Sequence, residues 1–210
     1  MEIMGVRFSV RCVSHCPLSW FAAARRLQRQ GVRCCIFPRE FHGKKVFARR
    51  GIVPVETGPL VREKAAELCL AKREEQGLSG AVAVYAEREK EDVRRTVEKL
   101  LPHVRRISLG EMRGGETLRA AFLYEKGLAL STASREELAA AETLILFAPP
   151  RGFVPANLLT LPLYGGAEPA FFLREELEAQ LPPEIPRLEL LAALRRAGAL
   201  KDEDIFPRCD

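Results

Sequence analysis

At 210 residues, with 47% hydrophobic and 29% charged side chains, the chain is long enough to bury a substantial core, and its composition is ordinary for a soluble globular protein and does not indicate disorder. No apolar stretch approaches the roughly 18–20 residues of a membrane span, and the opening MEIMGVRFSV lacks the basic-then-apolar pattern of a secretory leader, so the six cysteines read as free thiols of a cytoplasmic protein. The formal charge of +5 is uneven: residues 1–50 carry eleven Lys and Arg against Glu2 and Glu40, a net +9, which leaves −4 for the rest.

In chain order, Val6 to Arg11 reads as a first strand, and Ser14-His15-Cys16-Pro17 as a turn. A helix follows from about Ser19 to Gln30, with Trp20, Ala23, Ala24 and Leu27 on one apolar face and Gly31 as its stop. Val32 to Phe37 is the next strand, which makes the start of the chain a β-α-β unit. Residues 38–51 read as a basic linker around His42 and Gly43. A short strand at Ile52 to Val55 is weakened by Pro54, and one helix runs from the Thr57-Gly58-Pro59 turn to about Gln76 on a stripe of Val61, Ala65, Leu68 and Cys69.

Residues 80–150 are the most regular part. Apolar runs at Ala81–Ala86, Ile107–Leu109, Leu128–Leu130 and Leu144–Ala148 alternate with helical segments, the pattern of a parallel sheet built from β-α-β units. The first of these helices buries Val93, Val97, Leu100 and Leu101 and ends at Pro102. The second spans about 115–126 and stops at Gly127, and a short one covers 135–141. Leu158 to Tyr164 adds a strand, and the proline-punctuated tail holds a helix at 187–197 and a shorter one near 173–179.

This central stretch resembles the NAD-binding Rossmann half over about 70 residues. The likeness implies a crevice at the C-terminal ends of the strands starting near Ala81 and Thr143, rimmed by residues 86–90, 110–115 and 148–153. The glycine fingerprint is missing. The loop after the first strand is Glu87-Arg88-Glu89-Lys90-Glu91-Asp92, whose four carboxylates would repel a phosphate from the helix amides. The following loop, 110–117, is more open to an anion. Arg113, Gly114 and Gly115 suit an anion nest there, or alternatively a plain turn with a glycine at the helix cap, and Glu111 stands where related folds bind a ribose.

Elsewhere, Cys12-Val13-Ser14-His15-Cys16 gathers soft ligands, with His42, Cys34 or Cys35 as a fourth. No second Cys pair at zinc spacing follows, and no metal or other cofactor is expected. Cys16, just before a helix start, suits a nucleophile beside His15, but no arginine stands at phosphatase-loop spacing and a structural thiol explains it as well. Phe37, Phe41 and Phe47 flank Arg39, Lys44 and Lys45, as a stacking surface for nucleic acid would require, and core packing accounts for the same phenylalanines.

The sequence thus predicts an α/β fold: a Rossmann-like parallel sheet flanked by helices, lacking the glycine-rich fingerprint, with an additional N-terminal β-α-β lobe. The segments are a basic lobe (1–78), a Rossmann-like unit (79–165) and a C-terminal helical extension (166–210) packing back, or all three as one domain. With no complete catalytic set, the expected function is a non-catalytic module binding a protein partner or a small anionic ligand through Arg88, Arg113, Gly114, Gly115 and Arg151. The alternatives are an enzyme acting on a phosphorylated or nucleotide-like substrate, with His15 and Cys16 as its candidates, and nucleic-acid binding through Arg39, Lys44, Lys45, Arg49 and Arg50. No membrane contact is expected.

Overall fold

The computed structural model describes residues 1–14, 16–38, 40–164 and 171–207. Contacts divide the chain into two compact units, one of residues 1–57 with 171–206, the other of residues 58–170 with 207–210. Among the described residues, no helix is long and apolar enough to cross a membrane.

In the first unit, β1 (Glu2–Ile3) and β2 (Val6–Arg7) form a small antiparallel hairpin, turned through Met4 and Gly5 at φ 48° and 76°. The strand expected over Val6 to Arg11 is therefore only two residues long, and it pairs with the start of the chain. Helix α1 (Pro17–Arg29) begins with a proline whose missing N–H needs no partner at that position, and it buries Ala24 and Leu27. The parallel pair is β3 (Cys34–Cys35) with β4 (Val53–Pro54), joined through α2 (Lys44–Ala48). Pro54 is tolerated because the ladder N–H groups belong to its neighbours: Val53 donates to Arg33 O and Val55 to Cys35 O, both at 3.0 Å. The five residues of α2 lie in the stretch expected as a linker, too short for helical periodicity to register. Phe47 of α2 joins Ala24, Leu27, Phe37 and Ile52 in the core of this unit.

The second unit opens with α3 (Gly58–Glu63) and α4 (Ala65–Glu75), where a single helix is expected from sequence. They break at Lys64 (φ −96°, ψ 12°), which is 2% exposed and 3.7 Å from Glu67. Next come β5 (Val82–Tyr85), α5 (Glu91–Leu100), β6 (Ile107–Gly110), α6 (Gly115–Lys126), β7 (Ser131–Ala133), α7 (Arg135–Ala140), β8 (Thr143–Leu146) and β9 (Leu159–Pro162). The five strands form one parallel sheet in the order β7-β6-β5-β8-β9, flanked by helices and consistent with a Rossmann-like fold. Strands β5, β6 and β8 are buried at every residue, which is why they read as continuous apolar runs. Strand β7 directly follows the expected run Leu128–Leu130 instead of coinciding with it. Gly127 (φ 67°) ends α6, Leu128 N–H donates back to Phe122 O at 3.2 Å, and only then does the chain reach the sheet edge.

One polar cluster pins the N-terminal ends of β5 and β8. Arg73, 5% exposed, donates to Thr143 Oγ1 at 2.5 Å, Gly80 O at 2.9 Å and Glu142 Oε1 at 3.3 Å, and Gly80 N–H donates to the same carboxylate oxygen at 2.6 Å.

The chain then returns to the first unit with β10 (Phe171–Leu173), α8 (Glu175–Glu178), α9 (Arg187–Arg196) and β11 (Ile205–Pro207), the two strands pairing with each other. Arg187 holds this segment by donating to Phe171 O at 2.7 Å and forking onto Glu178. Helix α9 buries Leu188, Leu190, Leu191 and Leu194.

Candidate functional site

The strand order fixes where a crevice must open. The chain runs from β5 to β6 to β7 in one direction, then returns to place β8 on the other side of β5, so the loops leaving β5 and β8 diverge. At that point lies a cleft of about 500 Å³, within the range of small-ligand sites. Its wall comes from the loops after β5, β6 and β8, so all three expected rim segments contribute, and Arg88, Arg113 and Arg151 line it together. Arg62 of α3 and Lys90 also line it, as do Phe147 and Ala148 beside β8.

The loops after β5 and β6 stay paired beyond the sheet through a parallel bridge between Arg88 and Arg113. Glu89 N–H donates to Arg113 O at 2.7 Å, and Arg113 N–H to Glu87 O at 3.2 Å. Residues opposed in such a bridge send their side chains to the same side, and like charges so placed repel. Among the described residues, neither guanidinium has an ion-pair partner, and nor does Lys90.

The carboxylates of the 87–92 loop, expected to repel a phosphate, are mostly taken up by arginines. Glu87 meets Arg151 at 2.6 Å, Glu91 meets Arg95 at 2.9 Å along α5, and Asp92 meets Arg62 at 2.9 Å. Glu89 stands over Gly114: a Cβ on that glycine would lie 2.9 Å from its Oε2. Of the expected nest, Arg113 alone faces the cleft. Gly114 (φ 80°) caps α6 beneath Glu89, and Gly115 is buried with its N–H donated to Met112 O at 3.1 Å.

A second cavity of about 260 Å³ adjoins on the β6–β7 side, with Tyr85, Leu138, Glu111 and Arg135 in its wall. Tyr85 meets Phe153 edge to face at 5.4 Å, and Arg135 lies so close to Gly152 (φ 78°) that a Cβ there would sit 2.6 Å from its Nη1. Glu111 is exposed and has no ion-pair partner among the described residues.

No protein-family model, curated protein or solved structure matches this chain.

The remaining candidates belong to the first unit. His15 and Arg39 lie outside the described residues. Cys16 is exposed at the start of α1, where its carbonyl accepts from Ser19 N–H at 3.0 Å and Ser19 Oγ at 2.7 Å. Cys12, Cys35 and His42 share a cavity of about 470 Å³ walled by Trp20, Phe37 and Phe41. Among the described residues, however, no three His, Cys, Asp or Glu side chains gather to hold a metal ion. Burial, reinforced by neighbouring Cys34, raises the Cys35 thiol above its ordinary value, and burial pushes Cys69 up to about 12. Both stay protonated at neutral pH. Lys45, Arg49 and Arg50 are exposed and Lys44 is half-buried on or beside α2, but Phe37 and Phe47 are core residues and Phe41 stacks on Phe37 with centroids 5.3 Å apart. These phenylalanines offer no exposed stacking platform.

Two lining cations escape sequence reasoning. Arg62 comes from a helix outside the central pattern, and nothing in the sequence links it to Asp92. Lys90 is hidden among the acids around it, although the count of bases in 87–92 contained the signal.

Proposed function

We propose that the 58–170 unit is a non-catalytic module that binds a small anionic ligand in the crevice at the ends of β5 and β8. The observation that carries this reading is the Arg88–Arg113 bridge. Two arginines are opposed across backbone hydrogen bonds, face one cleft and have no ion-pair partner among the described residues. Like charges so placed repel, and an anion that both can reach relieves the repulsion. Lys90 adds to the same field, while Arg62 and Arg151 are held at its edge by Asp92 and Glu87. Among the described residues, those lining the cleft include no Ser, Thr, Cys, His or Tyr, which favours binding over turnover.

The test is a thermal-shift screen of inorganic phosphate, sugar phosphates and nucleotides at low salt. A ligand at 100 times its dissociation constant stabilises by about 2.7 kcal/mol, a shift of roughly 5–10 °C for a chain of this size. The shift should disappear in Arg88→Glu and Arg113→Glu. A ligand whose shift survives both reversals, or one that is consumed in a reaction abolished by Cys16→Ala, would overturn the reading.

A further inference from the structure

Resting on the reading of the crevice as an anion site, the geometry points to a two-part ligand, a phosphate ester of a hydroxyl-bearing molecule, that lies across the crevice by displacing Glu87 from Arg151. The large and small cavities have two wall residues in common, Glu87 and Arg151, and these two form an ion pair at 2.6 Å. The pair is the partition between the compartments. It is also weak: with Arg151 76% and Glu87 45% exposed, water screens both charges, and opening it costs little.

The two sides differ in chemistry. On the larger side stand Arg88, Arg113 and Lys90, and a phosphate there can replace the Glu87 carboxylate on Arg151 with an equally good charge-assisted contact. The freed Glu87 is then repelled by the phosphate and swings from between the cavities. On the smaller side, Tyr85 and Leu138 provide wall and Glu111 provides an unpaired acceptor that suits hydroxyl donors; Arg135 is its one cation besides the shared Arg151, so the phosphate is drawn to the larger side, where Arg88, Arg113 and Lys90 stand together. At about 260 Å³ this compartment holds only a fragment, so it acts as the far end of a ligand anchored next door.

The test measures dissociation constants of inorganic phosphate and ribose 5-phosphate by calorimetry on the full chain, for wild type, Glu87→Gln and Glu111→Gln. Both carboxylates are exposed, so both variants should fold, which circular dichroism checks. Glu87→Gln should tighten both probes about fivefold, the scale of an exposed ion pair lost as competitor. Glu111→Gln should weaken ribose 5-phosphate about tenfold and leave inorganic phosphate unchanged. If phosphate binds and is lost in Arg113→Glu, yet Glu87→Gln does not tighten it or Glu111→Gln leaves the ribose advantage intact, the two-part ligand is wrong while the anion crevice stands. If neither probe binds wild type or Glu87→Gln, both fall.

Discussion

Replacing Arg73 with alanine should be among the most damaging single changes in the 58–170 unit, although the residue lies on a helix otherwise rich in exposed charge. Its guanidinium makes three hydrogen bonds from a position 5% exposed, and the carboxylate it meets, on Glu142, is itself only a quarter exposed. Removing it leaves Glu142 with the Gly80 amide alone and strips Thr143 Oγ1 and Gly80 O of their donor. Breaking a buried charged pair costs about 3–5 kcal/mol, and the partial exposure of Glu142 puts this case near 3. For a chain of this size, the fall in melting temperature is roughly 6–12 °C. The assay is urea denaturation followed by far-ultraviolet circular dichroism, on Arg73→Ala and on the pair Arg73→Met with Glu142→Gln. The double variant should be more stable than Arg73→Met alone, because it no longer buries an uncompensated carboxylate. A loss under about 1 kcal/mol for Arg73→Ala, or strict additivity in the double variant, would refute the reasoning.

Arg113→Gln should weaken phosphate binding about tenfold yet leave the unliganded protein as stable as wild type or about 0.5 kcal/mol more so, because it relieves repulsion across the bridge; a clear loss of stability would argue that the arginine is structural. Cys69 contributes a pH dependence with a definite sign. Its folded-state value of about 12 lies above the ordinary 9.0, so its contribution is complete below about pH 9 and is lost as pH rises toward 12, at up to about 1.4 kcal/mol per unit. Cys69→Ala should flatten the alkaline limb of stability relative to wild type, and an unchanged slope would contradict it. Ser134 caps α7 by accepting from Glu137 N–H at 3.2 Å while Glu137 returns a contact to Ser134 N–H at 2.8 Å; Ser134→Ala should cost about 1 kcal/mol in chemical denaturation, and Ser134→Asp much less. If the basic first unit binds nucleic acid, affinity should fall steeply with salt and drop on charge reversal of Lys44, Lys45, Arg49 and Arg50 together; binding at low salt that ignores the reversal excludes that face.

The central sheet could be read from sequence because its strands are buried on both faces and its helices carry strong stripes, as at Val93, Val97 and Leu100. Edge elements were harder. Ser131–Ala133 has no apolar run because an edge strand needs only part of itself buried, and Val6–Arg11 alternates like a strand without finding a long partner. The break at Lys64 was hidden because lysine is an ordinary helix residue and its burial depends on neighbours brought in by the fold. In the crevice, the three arginines could be placed from the loop positions alone. Which of them stays unpaired could not, because the fate of Glu87 and Asp92 turns on partners 64 and 30 positions away in the chain, Arg151 and Arg62. Local charge counting therefore overstated the repulsion.

The position of β5 in the middle of the sheet bears on how any ligand would be felt. Its four residues are shielded on both faces, and both of its edges are paired, to β6 and β8. Amide hydrogens along Val82–Tyr85 should therefore exchange only through large-scale opening, whereas amides in the connections at 86–90 and 147–158 other than those of Glu89 and Phe147, which are hydrogen-bonded, should exchange through local opening. A molecule settling in the crevice would slow exchange at those connections and leave the strand amides almost unchanged, so occupancy would appear as a change in the timescale of the loops on a floor that does not move.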